Sequence, residues 1–294
     1  MATGIVSVAA SLQGRPYVSD ALFALACVAW FALAGAVSRH ARLAPRRPRL
    51  QSFALVAATA VLGARAMLAG ADAVALACWS LAFAVWLVLV WGRPAGSDGT
   101  GSSLLIVVAT ESLGMLAALL ARRWNEAFLV AACAAWLIGL GLYLWVAGPI
   151  SKTVRRTRRF APDLWIVMGA LAIATLAGTE LLVGIRTLHA LVGLMGWLRD
   201  VDLATWSLAS LLIVPLVVAE TWMRSGWRYD ARRWGFVFPL GMYAVATHTL
   251  GQAEQLAVLS EIGSVFFVIA LAAWALATLG LVRRGLATAL RTPA

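Results

Sequence analysis

The chain has 294 residues, of which 62% are hydrophobic and 13% are charged. Soluble domains are about half apolar and about a quarter charged, and disordered chains have low hydrophobicity, so the composition excludes both classes. At about 20 residues for each helical span, the chain has room for about ten membrane crossings. We therefore predict an all-α fold, a polytopic membrane protein that forms a single transmembrane domain over residues 1–294.

Ten apolar runs follow one another along the chain. In order they cover residues 1–12, 21–38, 52–69, 73–91, 104–121, 127–147, 164–183, 203–223, 234–250 and 262–282. Nine are long enough to cross a hydrocarbon core of about 30 Å as a helix. The first is too short, since twelve helical residues cover only about 18 Å. We expect a truncated first helix, with further apolar residues encoded upstream of Met1.

Basic residues are divided unequally between the two sets of loops. The net charge at pH 7 is +11, and 18 of the 24 Lys and Arg lie in the loops after the even-numbered runs and in the C-terminal tail. The positive-inside rule places this set in the cytoplasm. The pattern predicts a multi-pass protein of the cell membrane with both termini cytoplasmic, and it accounts for the charge without nucleic acid as a partner.

A short motif recurs in every odd-numbered run. Each contains an Ala-Thr step followed by Gly within four residues, and the threonines are Thr3, Thr59, Thr110, Thr175 and Thr247. In the seventh and ninth runs another glycine, Gly169 or Gly241, precedes the threonine by six residues. The spacing is about one helical hairpin, which predicts five hairpins related by rotation about the membrane normal.

The distribution of tryptophan separates the even runs from the odd runs. Nine of the 14 Trp lie in even runs. Large amphipathic rings suit lipid and its interfaces, whereas small residues suit close helix contact. We therefore place even helices outside and odd helices inside. This pattern leaves open whether the inner helices surround a pore or simply pack on one another.

Few residues suggest chemistry inside the membrane. Glu111 lies in the middle of the fifth run, where a carboxylate is costly and is a candidate proton site; the alternative is a protonated or structurally hydrogen-bonded acid. Arg65, at the outer end of the third run, either adds positive potential to a pore mouth or snorkels to the interface, and we favour snorkelling. Histidines and cysteines lack ligand spacing, so we expect no metal, no cofactor and no catalytic group.

Pro239 interrupts the ninth run in the sequence Phe-Val-Phe-Pro-Leu-Gly, which ends at Gly241. Proline removes a backbone hydrogen bond and clashes with the preceding turn, so we predict a helix break there. A break near the midplane exposes amide groups that attract anions. Phe238 lies at the predicted bend.

These residues resemble a known family. Residues 234–247, WGFVFPLGMYAVAT, look like the ninth-helix signature of the tellurite-resistance and C4-dicarboxylate transporter family, which includes the slow anion channels of plant guard cells. Residues 1–7, 62–65 and 163–169 are also similar to its members. The resemblance implies ten helices in five hairpins around a central pore, a homotrimer in the lipid bilayer, and Phe238 as the gate. Pore-lining positions would include Pro239, Gly241 and the five threonines.

Three functions are weighed on this basis. The leading one is an anion channel or facilitator that passes small anions such as chloride or nitrate through an electropositive, mostly uncharged path. The second is a proton-coupled carrier of C4-dicarboxylates, sulfite or tellurite-related oxyanions, with Glu111 as the proton site. The third, from another class, is an intramembrane enzyme or redox subunit.

Overall fold

The computed structural model describes residues 1–43, 50–92, 99–157, 161–222 and 234–289. These residues form ten α-helices, which we number in chain order. Their bounds are α1 Ala2–Leu12, α2 Pro16–Leu43, α3 Ala54–Leu68, α4 Asp72–Trp91, α5 Leu105–Ala121, α6 Ala127–Thr157, α7 Trp165–Leu188, α8 Met195–Trp222, α9 Trp234–Ala253 and α10 Ala257–Ala289. Short 3-10 turns precede α3, α5, α7 and α8.

Within the described ranges, eight helical segments are long and apolar enough to cross a membrane. Helix α9 has 20 residues, which at 1.5 Å per residue is about the thickness of the hydrocarbon core. Helix α1 has only 11 residues and is too short to span. The predicted all-α membrane fold with a short first helix is therefore confirmed.

The odd-numbered helices form the inner layer. Contacts between α1 and α3, α3 and α5, α5 and α7, α7 and α9, and α9 and α1 close them into a ring of five. In the most apolar stretches of α3, α5 and α7, 72–94% of the residues are buried, against 11–22% in the even helices. The prediction of inner odd helices and outer even helices is therefore confirmed.

Each outer helix packs against two inner helices. It contacts the inner helix of its own hairpin and also the next inner helix along the chain, and α10 contacts α1 in the same way. The five hairpins thus repeat one packing unit around the ring, as the recurrence of the Ala-Thr motif predicts. Exposed apolar side chains on these helices include Val88, Leu211 and Leu276.

Two glycines set the spacing of inner helices. A Cβ built on Gly169 of α7 would lie 2.8 Å from Cγ of Pro239, and one built on Gly241 of α9 would lie 2.9 Å from Cγ2 of Ile5 in α1. These are the glycines that precede the repeated threonine by six residues. Their missing side chains allow α7, α9 and α1 to approach closely, which is how small residues act between membrane helices.

Several outer helices are longer than the apolar runs. Helix α6 continues to Thr157 and α10 to Ala289, while α8 begins at Met195. Arginine is a good helix former and its stem can lie along apolar surface, so the helices extend past the hydrocarbon core. The orientation was predicted from arginines in the loops and the C-terminal tail, and most of these lie outside the described residues. They include Arg46, Arg47, Arg49, Arg158, Arg159, Arg224, Arg228, Arg232 and Arg233.

Candidate functional site

The contacts of α9 show which way its faces point. Pro239 packs against α7 and Gly241 against α1. Thr247 is hydrogen-bonded to α8, and His248 lies against α10. At about 100° per residue, Phe238 falls on the face between the α7 and α1 contacts. Because α7 and α1 are the ring neighbours of α9, this face is directed toward the middle of the inner ring.

Phe238 is only 1% exposed and is among the largest fully buried side chains. Met242 and Val245 follow it by four and seven residues, so they share its face, and both are also buried. The side chains that α9 directs to the middle of the ring are therefore apolar, and Phe238 is the bulkiest of them.

Pro239 does not break α9. The helix is continuous from Trp234 to Ala253 with the proline inside it, so the predicted break and its exposed amide groups are corrected. Because proline has no backbone N–H, position 239 cannot donate a hydrogen bond to the carbonyl of Gly235. This missing bond lies in the first turns of α9. Packing of the proline ring on Gly169 stabilises this part of the helix.

The repeated threonines bind the tryptophans of the outer helices. Four indole Nε1–H groups donate to a threonine Oγ1 of the next inner helix, at 2.8 to 3.1 Å; the pairs are Trp30–Thr59, Trp86–Thr110, Trp206–Thr247 and Trp274–Thr3. Hydrogen bonds between helices satisfy polar groups that lipid cannot. The repeat therefore encodes a hydrogen bond that ties four of the outer helices, α2, α4, α8 and α10, to the ring.

The fifth junction, between α6 and α7, is built differently. Trp136 donates to the backbone oxygen of Ala174 at 2.9 Å, one residue before the repeated threonine. Thr175 instead shares a hydrogen bond of 3.0 Å with Thr205 of α8. This junction has the same geometry of an outer indole reaching an inner helix, but with a carbonyl in place of the hydroxyl.

These bonds correct the expectation that the threonine hydroxyls face a central path. The hydroxyls of Thr3, Thr59, Thr110 and Thr247 are turned toward outer helices, and that of Thr175 toward α8. On α9, Thr247 follows Phe238 by nine residues, which is about half a turn out of phase. Small size made these threonines resemble pore-lining residues, whereas their partners could be found only in the folded chain.

Glu111 lies wholly buried at the centre of α5, and neither of its carboxylate oxygens has a hydrogen-bond partner in the part of the chain that the structure describes. Its side chain fills the space over Gly139 of α6, where an added Cβ would overlap Oε1. The carboxyl group thus lies between an inner and an outer helix. A structural hydrogen bond, one of the two alternatives to a proton site, is not formed.

Asp202 is a second buried acid, which sequence reasoning missed. It lies on α8, is 0% exposed, accepts a hydrogen bond of 2.7 Å from Thr179, and leaves Oδ1 without a partner. The apolar run that predicted this helix begins at residue 203, whereas α8 begins at Met195. An acid directly before the run was the available signal.

Arg65 does not snorkel to the interface. Its side chain is 5% exposed, and its Nε and Nη2 groups donate to Ser19 Oγ at 2.7 Å and to Asp20 Oδ1 at 2.5 Å. Ser19 in turn exchanges hydrogen bonds with Ser7 of α1. The guanidinium therefore links α3, α2 and α1 at the end of the ring where α3 ends and α2 begins.

An ion cluster joins two helices and a turn at the same end of the ring. Glu254 binds Arg186 at 2.6 Å and Arg199 at 2.7 Å. Burial opposes ionisation of this carboxylate, but the two hydrogen bonds and positive charges outweigh it and hold the pKa of Glu254 below its ordinary value. The cluster fixes the turn between α9 and α10 to α7 and α8.

Comparison with known proteins agrees with this architecture. Residues 1–282 match the family model described as voltage-dependent anion channel. Over 123 residues, 40% of this chain, the sequence is 37% identical to an uncharacterized membrane protein found in two strains of Mycobacterium tuberculosis. The chain spans 62% of the length of these relatives. Because the family model covers nearly the whole chain, this protein belongs to the voltage-dependent anion channel family.

Proposed function

We propose that this chain passes small anions through the middle of the inner ring. The observation that carries the proposal is the family match over residues 1–282, together with a closed ring of five inner helices. Chloride and nitrate are the anions we expect first. Transport by such a path requires no catalytic group and no cofactor.

The repeat itself indicates which residues line the path. Since the threonines point outward, the residue two positions earlier lies about 200° away, on the face toward the ring. These residues are apolar and buried: Ala57, Val108, Ile173 and Val245. A narrow uncharged constriction of this kind holds ions back by excluding water.

Phe238 is the proposed gate of this constriction. Its ring is the largest on the inward face of α9, and it is held between the two close inner contacts made by Pro239 and Gly241. An uncharged plug controls how many anions pass, with little effect on which anion is preferred. The neighbouring glycine contacts leave the helix little freedom to shift, so opening would require rotation of the phenyl group.

A proton-coupled carrier of C4-dicarboxylates, sulfite or other oxyanions is the second candidate function. It is favoured by one observation, the buried and unpartnered carboxyl group of Glu111. An acid inside the membrane costs free energy, and its retention there points to a function. In this case the anion would move together with a proton, and flux would depend steeply on pH.

The assembly and orientation belong to the same proposal. We propose a homotrimer in the cell membrane with one path in each subunit and both termini in the cytoplasm. The support is the sequence asymmetry of 18 basic residues on one side against six on the other. That positive side would concentrate anions at the inner mouth.

Anion current through reconstituted bilayers tests the gate. Phe238→Ala should raise chloride or nitrate current several-fold with little change in anion preference. Phe236→Ala is the matched control, because that ring is only half-buried and lies against Trp165 of α7. If Phe238→Ala conducts no more than the parent chain at equal amounts of folded protein, the assignment of the gate is wrong.

A further inference from the structure

The two buried acids flank the α6–α7 junction, which departs from the repeat. Glu111 of α5 faces Gly139 of α6. Trp136 lies one turn before Gly139 on α6, and it is the indole that binds a backbone carbonyl in place of a threonine. Asp202 approaches the same indole from α8. Both acids therefore border the same short stretch of α6.

The contact between Asp202 and Trp136 occurs over Gly178 of α7. Asp202 Oδ1 and Trp136 Nε1 both lie within 3.0 Å of the position that a Cβ on Gly178 would occupy. The indole proton is committed to Ala174, so Oδ1 remains unpartnered. A glycine at this position makes the space that admits the carboxyl group.

Glu111 approaches this stretch of α6 from α5, and Asp202 approaches it from α8. Two ionised carboxylates in an apolar interior repel each other and lose their hydration. Among the described residues, three of their four oxygens have no hydrogen-bond donor. The described titratable and charged side chains on α3 to α9 are Arg65, Asp72, Cys78, Cys133, Tyr143, Lys152, Arg156, Glu180, Arg186, Arg199, Asp200, Glu220, Tyr243 and His248. Those in the connecting turns are Arg122, Arg123, Glu126, Asp163, His189 and Glu254. Four of the cations are engaged elsewhere: Arg65 with Asp20, Arg122 with Glu180, and Arg186 and Arg199 with Glu254. Arg123 is exposed, and Lys152 and Arg156 lie beyond Gly139 on α6, about 20 Å or more along the helix.

We propose that Glu111 and Asp202 form a buried proton-binding pair that is loaded from the outer side. Asp202 lies one helical turn from Arg199, which belongs to the ion cluster at the outer end of the helices. A proton from the outer water would bind Asp202 Oδ1 and reach Glu111, at the centre of the bilayer, along water that enters between the helices, because the two carboxyl groups are not hydrogen-bonded to each other. Its release by the same route restores the carboxylate.

Proton binding would then control anion passage. In the neutral state the Glu111 carboxyl group fits between α5 and α6 without an added charge. In the ionised state it would draw water to this interface and add negative potential beside the anion path. Flux should therefore be high when the pair is protonated and should fall as the outer pH rises, by up to about tenfold per pH unit in the steep part of the titration.

Infrared spectroscopy of the reconstituted chain tests proton binding without reference to transport. The parent protein should keep the C=O band of a protonated carboxyl group at neutral pH, where exposed acids are ionised. Glu111→Gln and Asp202→Asn should each weaken that band. Glu261→Gln, the same chemical change at an exposed site on α10, should leave it intact. Absence of the band in the parent overturns the proposal.

Chloride flux into liposomes, measured against outer pH, gives the second arm, and this arm alone rests on the proposed transport function. Glu111→Gln should abolish the pH dependence and hold flux at its acid level, while Glu261→Gln keeps the parent profile. Flux with an unchanged profile in both Glu111→Gln and Asp202→Asn overturns the inference and leaves the transport function standing. A protonated band without flux at any pH supports the pair and instead refutes the transport function.

Discussion

Gly169→Ala tests whether the small residues of the inner ring set its packing. The added Cβ would lie 2.8 Å, 3.0 Å and 3.1 Å from Cγ, Cβ and Cα of Pro239. Ordinary carbon contacts are about 3.5 to 4.0 Å, so α7 and α9 must separate by about 0.7 Å or more. The proline cannot yield by rotating a side chain, because its ring is closed onto the backbone.

The expected cost of this overpacking is about 1–3 kcal/mol. The higher helix propensity of alanine offsets part of this cost, since alanine stabilises a helix by about 1 kcal/mol relative to glycine. The control is Gly141→Ala, on an exposed face of α6 where the new Cβ meets nothing within 4 Å. This variant should be neutral or more stable by up to about 1 kcal/mol.

Equilibrium unfolding of both variants in detergent micelles, monitored by helical circular dichroism, gives the comparison. Gly169→Ala should unfold at a lower denaturant concentration than the parent, and Gly141→Ala at an equal or higher one. If Gly169→Ala is as stable as Gly141→Ala, the close contact between α7 and α9 does not carry the packing of the ring, and our account of the motif fails.

Three other predictions concern the hydrogen bonds of the tryptophan indoles, the face of the odd helices toward the middle of the ring, and the ion cluster around Glu254. Trp206→Phe should lower stability by about 0.5–1.5 kcal/mol through the lost bond to the α9 hydroxyl, whereas Trp222→Phe, at a side chain 86% exposed, should not; equal unfolding would contradict the indole assignment. In a Phe238→Ala chain without native cysteines, where the proposed gate is open, Ala57→Cys should react with a small water-soluble thiol reagent faster than Thr59→Cys, and the reverse order would refute the inward face. The pKa of Glu254 is below its ordinary value of 4.5, so the carboxylate stabilises the fold above that pH, and this contribution is lost as pH falls through the lowered pKa. In thermal unfolding between pH 3 and 7, the stability of Glu254→Gln should therefore fall less steeply with acid than that of the parent.

Much of the architecture was predictable because it depends on single residues and their spacing. Long apolar runs predict membrane helices whatever their neighbours are. The alternation of small residues with tryptophan separates inner from outer helices, since residue size limits how closely two backbones approach. The glycines six residues before Thr175 and Thr247 were visible as a pattern, although the pattern did not identify Pro239 and Ile5 as their partners.

The site was less predictable because its residues are defined by distant partners. The hydroxyl of Thr3 resembled a pore-lining group until the fold placed Trp274 beside it, 271 residues away in the chain. Arg65 could be interpreted as a snorkelling cation because its acceptors, Ser19 and Asp20, lie on another helix.

The sequence by itself determined the membrane helices, their division into two layers and their fivefold repetition, since hydrophobicity and size act through local periodicity. Only the tertiary structure decided that α9 runs unbroken through Pro239, that the threonine hydroxyls face outward, and that Asp202 reaches the same stretch of α6 as Glu111. Hydrogen bonds and buried charges depend on direction and on a specific partner, and both are set only when the helices pack.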